Sequence, residues 1–157
     1  MRKCEFEDAL TEAEKACRRY VARLIGERVK VYRFANPGET ECAVFDIGNF
    51  YQGDLGLARA KSYHWRAALD IYHRDHDELQ RLAMRLIGAL PVSEDNAALE
   101  DLRAESNVLV FRLAPESNAV SAIETANVEP ARGGASVPCY TLRVLFDVVF
   151  AARFESN

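Results

Sequence analysis

The sequence predicts an α+β fold: a single mixed or antiparallel sheet with two helices packed on one face and a protruding hairpin. Residues 63–72 alternate between apolar and more polar side chains, the period of a strand with one buried face. Residues 140–150 alternate in the same way. Between them, residues 79–90 carry apolar side chains at helical spacing. Strands and helices that each have one apolar face bury those faces against one another.

Size and charge indicate one soluble domain spanning residues 1–157, since 49% of the residues are hydrophobic and the net charge is −4. At this length about 70% of the unfolded surface can be buried, so a hydrophobic core can form without disulfide bonds or a bound metal. No basic stripe is visible, which argues against a protein that tracks nucleic-acid phosphates. The first residues are not an export signal, and no apolar run reaches the ~20 residues of a membrane span.

The first third of the chain reads as a helix followed by two strands. Residues 5–25 form the helix, because apolar side chains recur on one stripe, acids precede bases along it, and Gly26 follows as a C-cap. Residues 29–34 and 42–47 are short apolar strands separated by a turn. Residues 48–60 contain three glycines and little periodicity, so we expect a long loop or a loose hairpin arm.

The helix after the first alternating strand has clear ends. Asp75 and Glu78 fit a capping box at its start, and Gly88 and Pro91 end it. The remaining segments are predicted as a short helix at 97–103, a strand at 108–113, an exposed strand at 120–128, the last strand from Pro138, and a loose tail at 153–157.

The outward faces of the two alternating strands suggest how they pair. If the strands are antiparallel neighbours, Arg66 stands opposite Asp147 and Asp70 opposite Arg143. The same register sets small against large and aromatic against aliphatic, with the pairs Ala67–Phe146 and Trp65–Val148. Opposite charges across strands contribute roughly 0.2–1 kcal/mol each. The alternative is a coincidence among common surface charges.

No residue pattern predicts catalysis, a cofactor or a metal. His73 and His76 flank Asp75 in a metal-like cluster, but a charged strand-to-helix turn with a helix cap explains the same residues. The glycines of residues 48–56 lack the spacing of a phosphate-binding loop. The cysteines are widely spread and nothing indicates export, so we expect free and mostly buried thiols at Cys4, Cys17, Cys42 and Cys139.

The order of elements resembles the tail terminator (tail completion) proteins of long-tailed bacteriophages. The residues that carry the resemblance are the strand at 62–72 running into the helix from His76, and the closing strand at 141–150. The opening helix stands where that family has one. The likeness covers most of the chain as a pattern and includes no diagnostic motif.

The resemblance implies a structural protein and no enzymatic activity. Such proteins form a hexameric ring that caps the head-proximal end of the tail tube and joins it to the head connector or stopper protein. DNA passes through the lumen without specific binding, and no membrane is involved. The protein would be made in the bacterial host cytoplasm and reside in the neck of the virion tail. Another head–tail neck protein, or a small cytosolic enzyme with an unrecognised site, is the alternative.

Two loops are the candidate docking arms because both exceed the usual connection of about 4–6 residues. One is residues 129–137 and the other residues 48–60. The candidate docking residues are Arg132, Gly133 and Gly134 in the first loop, and Asn49, Phe50, Tyr51 and Asp54 in the second. Solvated hairpin tips without a partner are the alternative for both.

Overall fold

The computed structural model describes residues 2–4, 6–52, 62–90, 97–152 and 154–156. The elements in chain order are β1 (Arg2–Cys4), a 3-10 turn (Phe6–Asp8), α1 (Ala9–Ile25), β2 (Lys30–Arg33), β3 (Cys42–Gln52), β4 (Ser62–His73), α2 (His76–Ala89), α3 (Ala97–Glu105), β5 (Val108–Leu113), β6 (Glu124–Val128), β7 (Val137–Ala151) and β8 (Phe154–Ser156). None of these helices is long and apolar enough to cross a membrane.

Six of these strands form one mixed sheet, which confirms the predicted fold class. The order is β2-β3-β4-β7, with β5 and β6 both pairing with β7. The long strand β7 has β4 on one side, and β5 and β6 share its other side, one beside each half. Only β2 and β3 run parallel, and the other pairs are antiparallel.

The helices cover one face of this sheet and enclose the core. Trp65, Leu69, Val144 and Phe146, which the alternation predicts to be buried, are all 0% exposed. They belong to one apolar cluster with buried residues of α1, α2 and α3. Aromatic rings meet edge to face at the centre, where Trp65 lies 5.8 Å from Phe45 between ring centroids.

The start of α2 confirms the predicted cap. The Asp75 carboxylate accepts hydrogen bonds from the backbone N–H groups of Asp77 and Glu78, at 2.9 and 3.3 Å. Glu78 does not complete the capping box, because its carboxylate pairs with Arg28 at 3.1 Å. The backbone N–H of Asp75 instead donates to the His73 ring.

Of the two expectations for residues 48–60, the long loop is wrong in its first part, whereas residues 50–52 pair antiparallel with β4, as they would in a hairpin arm. Strand β3 continues to Gln52, so Asn49, Phe50 and Tyr51 lie in a strand and not in a loop. The register with β4 shifts between Ile47 and Phe50, which places Gly48 at an irregularity of the kind where glycine is common in strands. Pairing with β4 therefore outweighs the local glycine content. Asp54 lies outside the described residues.

The expectation of a loose tail is also wrong. Residues 154–156 form β8, which pairs antiparallel with β1 at the start of the chain in a separate two-stranded sheet. The pairing joins two segments from opposite ends of the sequence, each only three residues long. Segments that short carry too little periodicity to predict a strand.

Candidate functional site

The sheet face opposite the helices carries paired charged side chains on its two central strands. Its central strands present Arg66 and Asp70 from β4, and Arg143 and Asp147 from β7. Arg66 stands opposite Asp147 and Asp70 opposite Arg143, so the predicted register is confirmed, including its apolar pairs. We call these four residues the charge ladder.

Asp147 is the buried centre of the charge ladder, with only 4% of its surface exposed. Its Oδ1 accepts a hydrogen bond from Arg66 Nε at 3.0 Å and lies 2.9 Å from His64 Nε2. Arg66 also reaches Glu116, with 2.7 Å between Nη2 and Oε1. The hydrogen bond with Arg66 lowers the pKa of Glu116, and the same bond raises the pKa of Arg66. Glu116 thus ties the segment after β5 to the centre of the sheet.

The second half of the charge ladder is a bidentate pair. Arg143 donates from Nε to Asp70 Oδ1 at 2.7 Å and from Nη2 to Oδ2 at 3.0 Å. This fork-to-fork geometry orients both side chains, and the hydrogen bonds to Asp70 raise the pKa of Arg143. Each ladder charge has an opposite charge beside it, so the face suits recognition of a polar protein surface better than capture of a free ion.

The environment of each described thiol makes it unreactive. Cys17, Cys42 and Cys139 are free and buried, as predicted; the side chain of Cys4 is outside the described part of the chain. Burial, with a smaller effect of Glu39, raises the pKa of Cys42 to about 12. Burial likewise raises the pKa of Cys17 and of Cys139. Little thiolate forms near neutral pH, so these thiols are poor nucleophiles.

The histidine cluster before α2 serves local structure. His73 Nδ1 accepts the backbone N–H of Asp75 at 3.0 Å. The His76 ring packs edge to face against Tyr140, 5.3 Å away between centroids. Within the described ranges, no three His, Cys, Asp or Glu side chains are grouped so that they could hold a metal ion.

The loop between β6 and β7 has an anchored base and an exposed tip. Gly38 packs so closely on Ala131 that a Cβ at Gly38 would lie 2.4 Å from the Ala131 nitrogen. Residues 131–136 are all exposed. Gly133 and Gly134 have φ of +79° and +107° with open space around them, so the backbone conformation and not packing requires glycine. Arg132 shares this tip, whereas Asn49, Phe50 and Tyr51 belong to β3.

A buried cluster of charged side chains joins α1 to β2, and it was not predicted from the sequence. Glu14 is 0% exposed and lies 3.0 Å from Arg18 Nε and 3.3 Å from Arg33 Nε. Burial raises the pKa of Glu14, and the nearby arginines oppose this only in part. The helical spacing from Leu10 to Cys17 puts Glu14 on the apolar stripe, so the burial of Glu14 could have been predicted from the sequence.

Arg33 positions an exposed aromatic ring. Its guanidinium lies 4.2 Å from the ring centroid of Phe34, a cation–π distance. Phe34 is 55% exposed and has φ of +73°, a left-handed conformation that is uncommon for a bulky residue. Nothing in the sequence signals this conformation.

No protein family matches this chain, and no curated protein sequence matches it.

Proposed function

We propose that this protein is a phage tail terminator: subunits close into a ring, a hexamer as in the tail terminators it resembles, that caps the head-proximal end of the tail tube and docks the head connector or stopper. The observation that carries the proposal is the central pair β4 and β7. These two strands bear the resemblance, and they form the middle of the sheet in the register their charges imply. DNA would pass through the lumen without sequence readout, consistent with a net charge of −4.

The state of the reactive side chains favours assembly over the enzyme alternative. His73 and Asp75 hold the start of α2, and three of the thiols are buried and free. His64 lies against Asp147, whose Oδ1 also accepts from Arg66. These groups maintain the fold where they lie, and an enzyme needs such groups to converge on a substrate.

The exposed tip at residues 132–136 is the proposed docking arm, and shortening it tests the function. Replacing Arg132–Ser136 with one glycine should leave the free energy of unfolding within about 1 kcal/mol, because no buried side chain is removed. Glu129 to Ala131 stay in place because they contact Gly38. The shortened protein should fail to stop tail growth, which tail length in electron micrographs measures.

A matched control shows whether the effect belongs to the arm. Met84 is 62% exposed on α2, an element separate from the arm, so Met84→Ala should complete tails normally. Tails of normal length that accept heads, made with the shortened protein, would remove the arm from the docking surface. A full-length protein that never binds tube ends would contradict the terminator, and binding to connectors alone would favour another neck protein.

A further inference from the structure

Two edges of the six-stranded sheet end without a partner strand. β2 pairs only with β3, and β6 pairs only with β7, within the described ranges. The β5 part of the second edge is different: α3 packs there, and Arg103 Nε donates to the Leu109 carbonyl at 2.8 Å. Free edges are templates for pairing with another strand. Within the part of the chain that the structure describes, the sheet therefore has one open edge at each end.

The directions of these edges match those of neighbouring copies in a ring. β2 runs parallel to β3, and three antiparallel steps lead from β3 through β4 and β7 to β6. β2 and β6 therefore run in opposite directions. Rotation about an axis along the strands keeps strand direction, so β2 of one copy would meet β6 of the next as an antiparallel pair.

An open groove runs beside the β2 edge. It has a volume of about 610 Å³ and lies between the last turn of α1 and residues 30–32 of β2. Its lining carries Arg23 and Lys30 against one acid, Glu27. The exposed ring of Phe34 stands at the end of the same strand. An extended segment can add to such an edge while its side chains fill the groove.

The β6 edge has the complementary charge. The segment from Ser121 to Ala131 contains Glu124 and Glu129 and no lysine or arginine. Glu124 and Glu129 are both exposed. Arg23 in the groove already pairs with Glu105 at 3.5 Å, so Lys30 is the groove residue that faces the acidic edge. Lys30 at one end of the sheet and an acidic edge at the other favour head-to-tail contact and disfavour contact between two acidic edges.

We infer that the β2 edge, with its groove and Phe34, is the docking surface for β6 of a second copy of this chain. The pairing continues the sheet from subunit to subunit. This inference rests on the proposed function, since a ring requires two different patches that meet head to tail. The inference identifies these two patches as the β2 edge and β6.

Cross-linking of paired variants tests the contact directly. In a Cys4→Ser background, Tyr32→Cys marks the β2 edge and Thr125→Cys marks β6. A short bismaleimide should link a mixture of the two single variants into heterodimers, and should link the double variant into a ladder of oligomers. The native Cys17, Cys42 and Cys139 are buried and should not react. Arg85→Cys on exposed α2, mixed with Thr125→Cys, is the control and should give no product.

Substitutions test the chemistry of the contact. Lys30→Glu should weaken self-association about tenfold, and adding Glu124→Lys should restore it to within about threefold. Phe34→Ala should weaken it about tenfold, whereas Met84→Ala, which removes the other exposed large apolar side chain, should not. Circular dichroism and thermal unfolding of each variant exclude misfolding as the cause.

The outcomes separate this inference from the proposed function. Rings by mass without the Tyr32–Thr125 cross-link would overturn the edge pairing and leave the terminator intact. Cross-linked chains that never cap tail tubes would support the pairing and remove the terminator. Homodimers from one single variant alone would show a symmetric contact and overturn the head-to-tail pairing. Neither oligomer nor cross-link would overturn the pairing, and failure to bind tubes would then remove the function as well.

Discussion

Trp65 is a large side chain buried within the hydrophobic core. It is 0% exposed between Phe45 and Phe150, which both meet its ring edge to face. Among the described residues its indole nitrogen has no hydrogen-bond partner, so apolar burial and ring contacts account for its position. The alternation in the sequence was sufficient to place it.

Trp65→Ala should lower the free energy of unfolding by about 3–5 kcal/mol, because a large cavity opens in the middle of the core. Urea denaturation followed by circular dichroism measures the change. Met84→Ala, on the surface of α2, is the control and should stay within about 0.5 kcal/mol. A loss below about 1 kcal/mol for Trp65→Ala would contradict the packing described.

Glu14 is the opposite case, a charge placed where an apolar residue would fit. Burial raises its pKa above the ordinary 4.5 even though Arg18 and Arg33 lie close. The folded chain then binds the proton more tightly than the unfolded chain, so stability falls as pH rises through the range above 4.5.

Glu14→Gln should therefore make the protein more stable than the wild type at pH 7. The difference should shrink as pH falls through the range just above 4.5, and it should change no further below 4.5, where Glu14 is protonated in both the folded and the unfolded chain. Denaturation midpoints across this pH range measure it. A variant less stable at pH 7 would mean that the arginine pairs outweigh the cost of burial.

At the scale of elements, side chains on both faces of the sheet fix the register between β4 and β7. Apolar residues on one face and the charge ladder on the other select the same pairing. A shift by one residue would turn the apolar set to the open face and the charges into the core.

A double-mutant cycle on Asp70 and Arg143 should measure a coupling of about 0.2–1 kcal/mol, since the pair is bidentate but part-exposed. Asp70→Asn and Arg143→Gln, singly and together, provide the cycle. Asp70→Asn combined with Arg132→Ala is the control and should be additive, because Arg132 lies at the loop tip. Additivity in the first cycle as well would show that the pair does not stabilise the register.

At the scale of the whole molecule, the fold separates buried reactive groups from exposed surfaces. The thiols of Cys17, Cys42 and Cys139 lie in the interior, while the loop tip at residues 131–136 and the ring of Phe34 are exposed. This distribution is the physical basis for proposing assembly and not catalysis.

Thiol titration tests that separation. In a Cys4→Ser variant, the native protein should react slowly at pH 7, because Cys17, Cys42 and Cys139 are buried and burial raises the pKa of each. After denaturation without a reducing agent, three thiols should be counted, and four in the wild type, as expected for free cysteines. A lower count after denaturation would reveal disulfides.

The sequence by itself determined the elements with strong periodicity and suggested how two of them pair. Residues 63–72 and 140–150 repeat every second residue, and residues 79–90 repeat at helical spacing, so their buried faces were readable locally. The charged side chains on the outward face indicated the register, because Arg66 and Asp70 have oppositely charged partners at matching positions in β7. The cap at Asp75 was readable for the same reason: its cause lies within three residues.

Tertiary structure alone decided the features that depend on distant backbone. β1 and β8 exist only because the two ends of the chain meet. β3 reaches Gln52 because β4 supplies hydrogen bonds that Gly48 and the glycines after the strand do not predict. The left-handed Phe34 and the open edges of β2 and β6 follow from strand order and loop geometry. Those edges are where we expect the next copy to bind, and no local pattern encodes them, because an edge is defined by which strands are absent from its side.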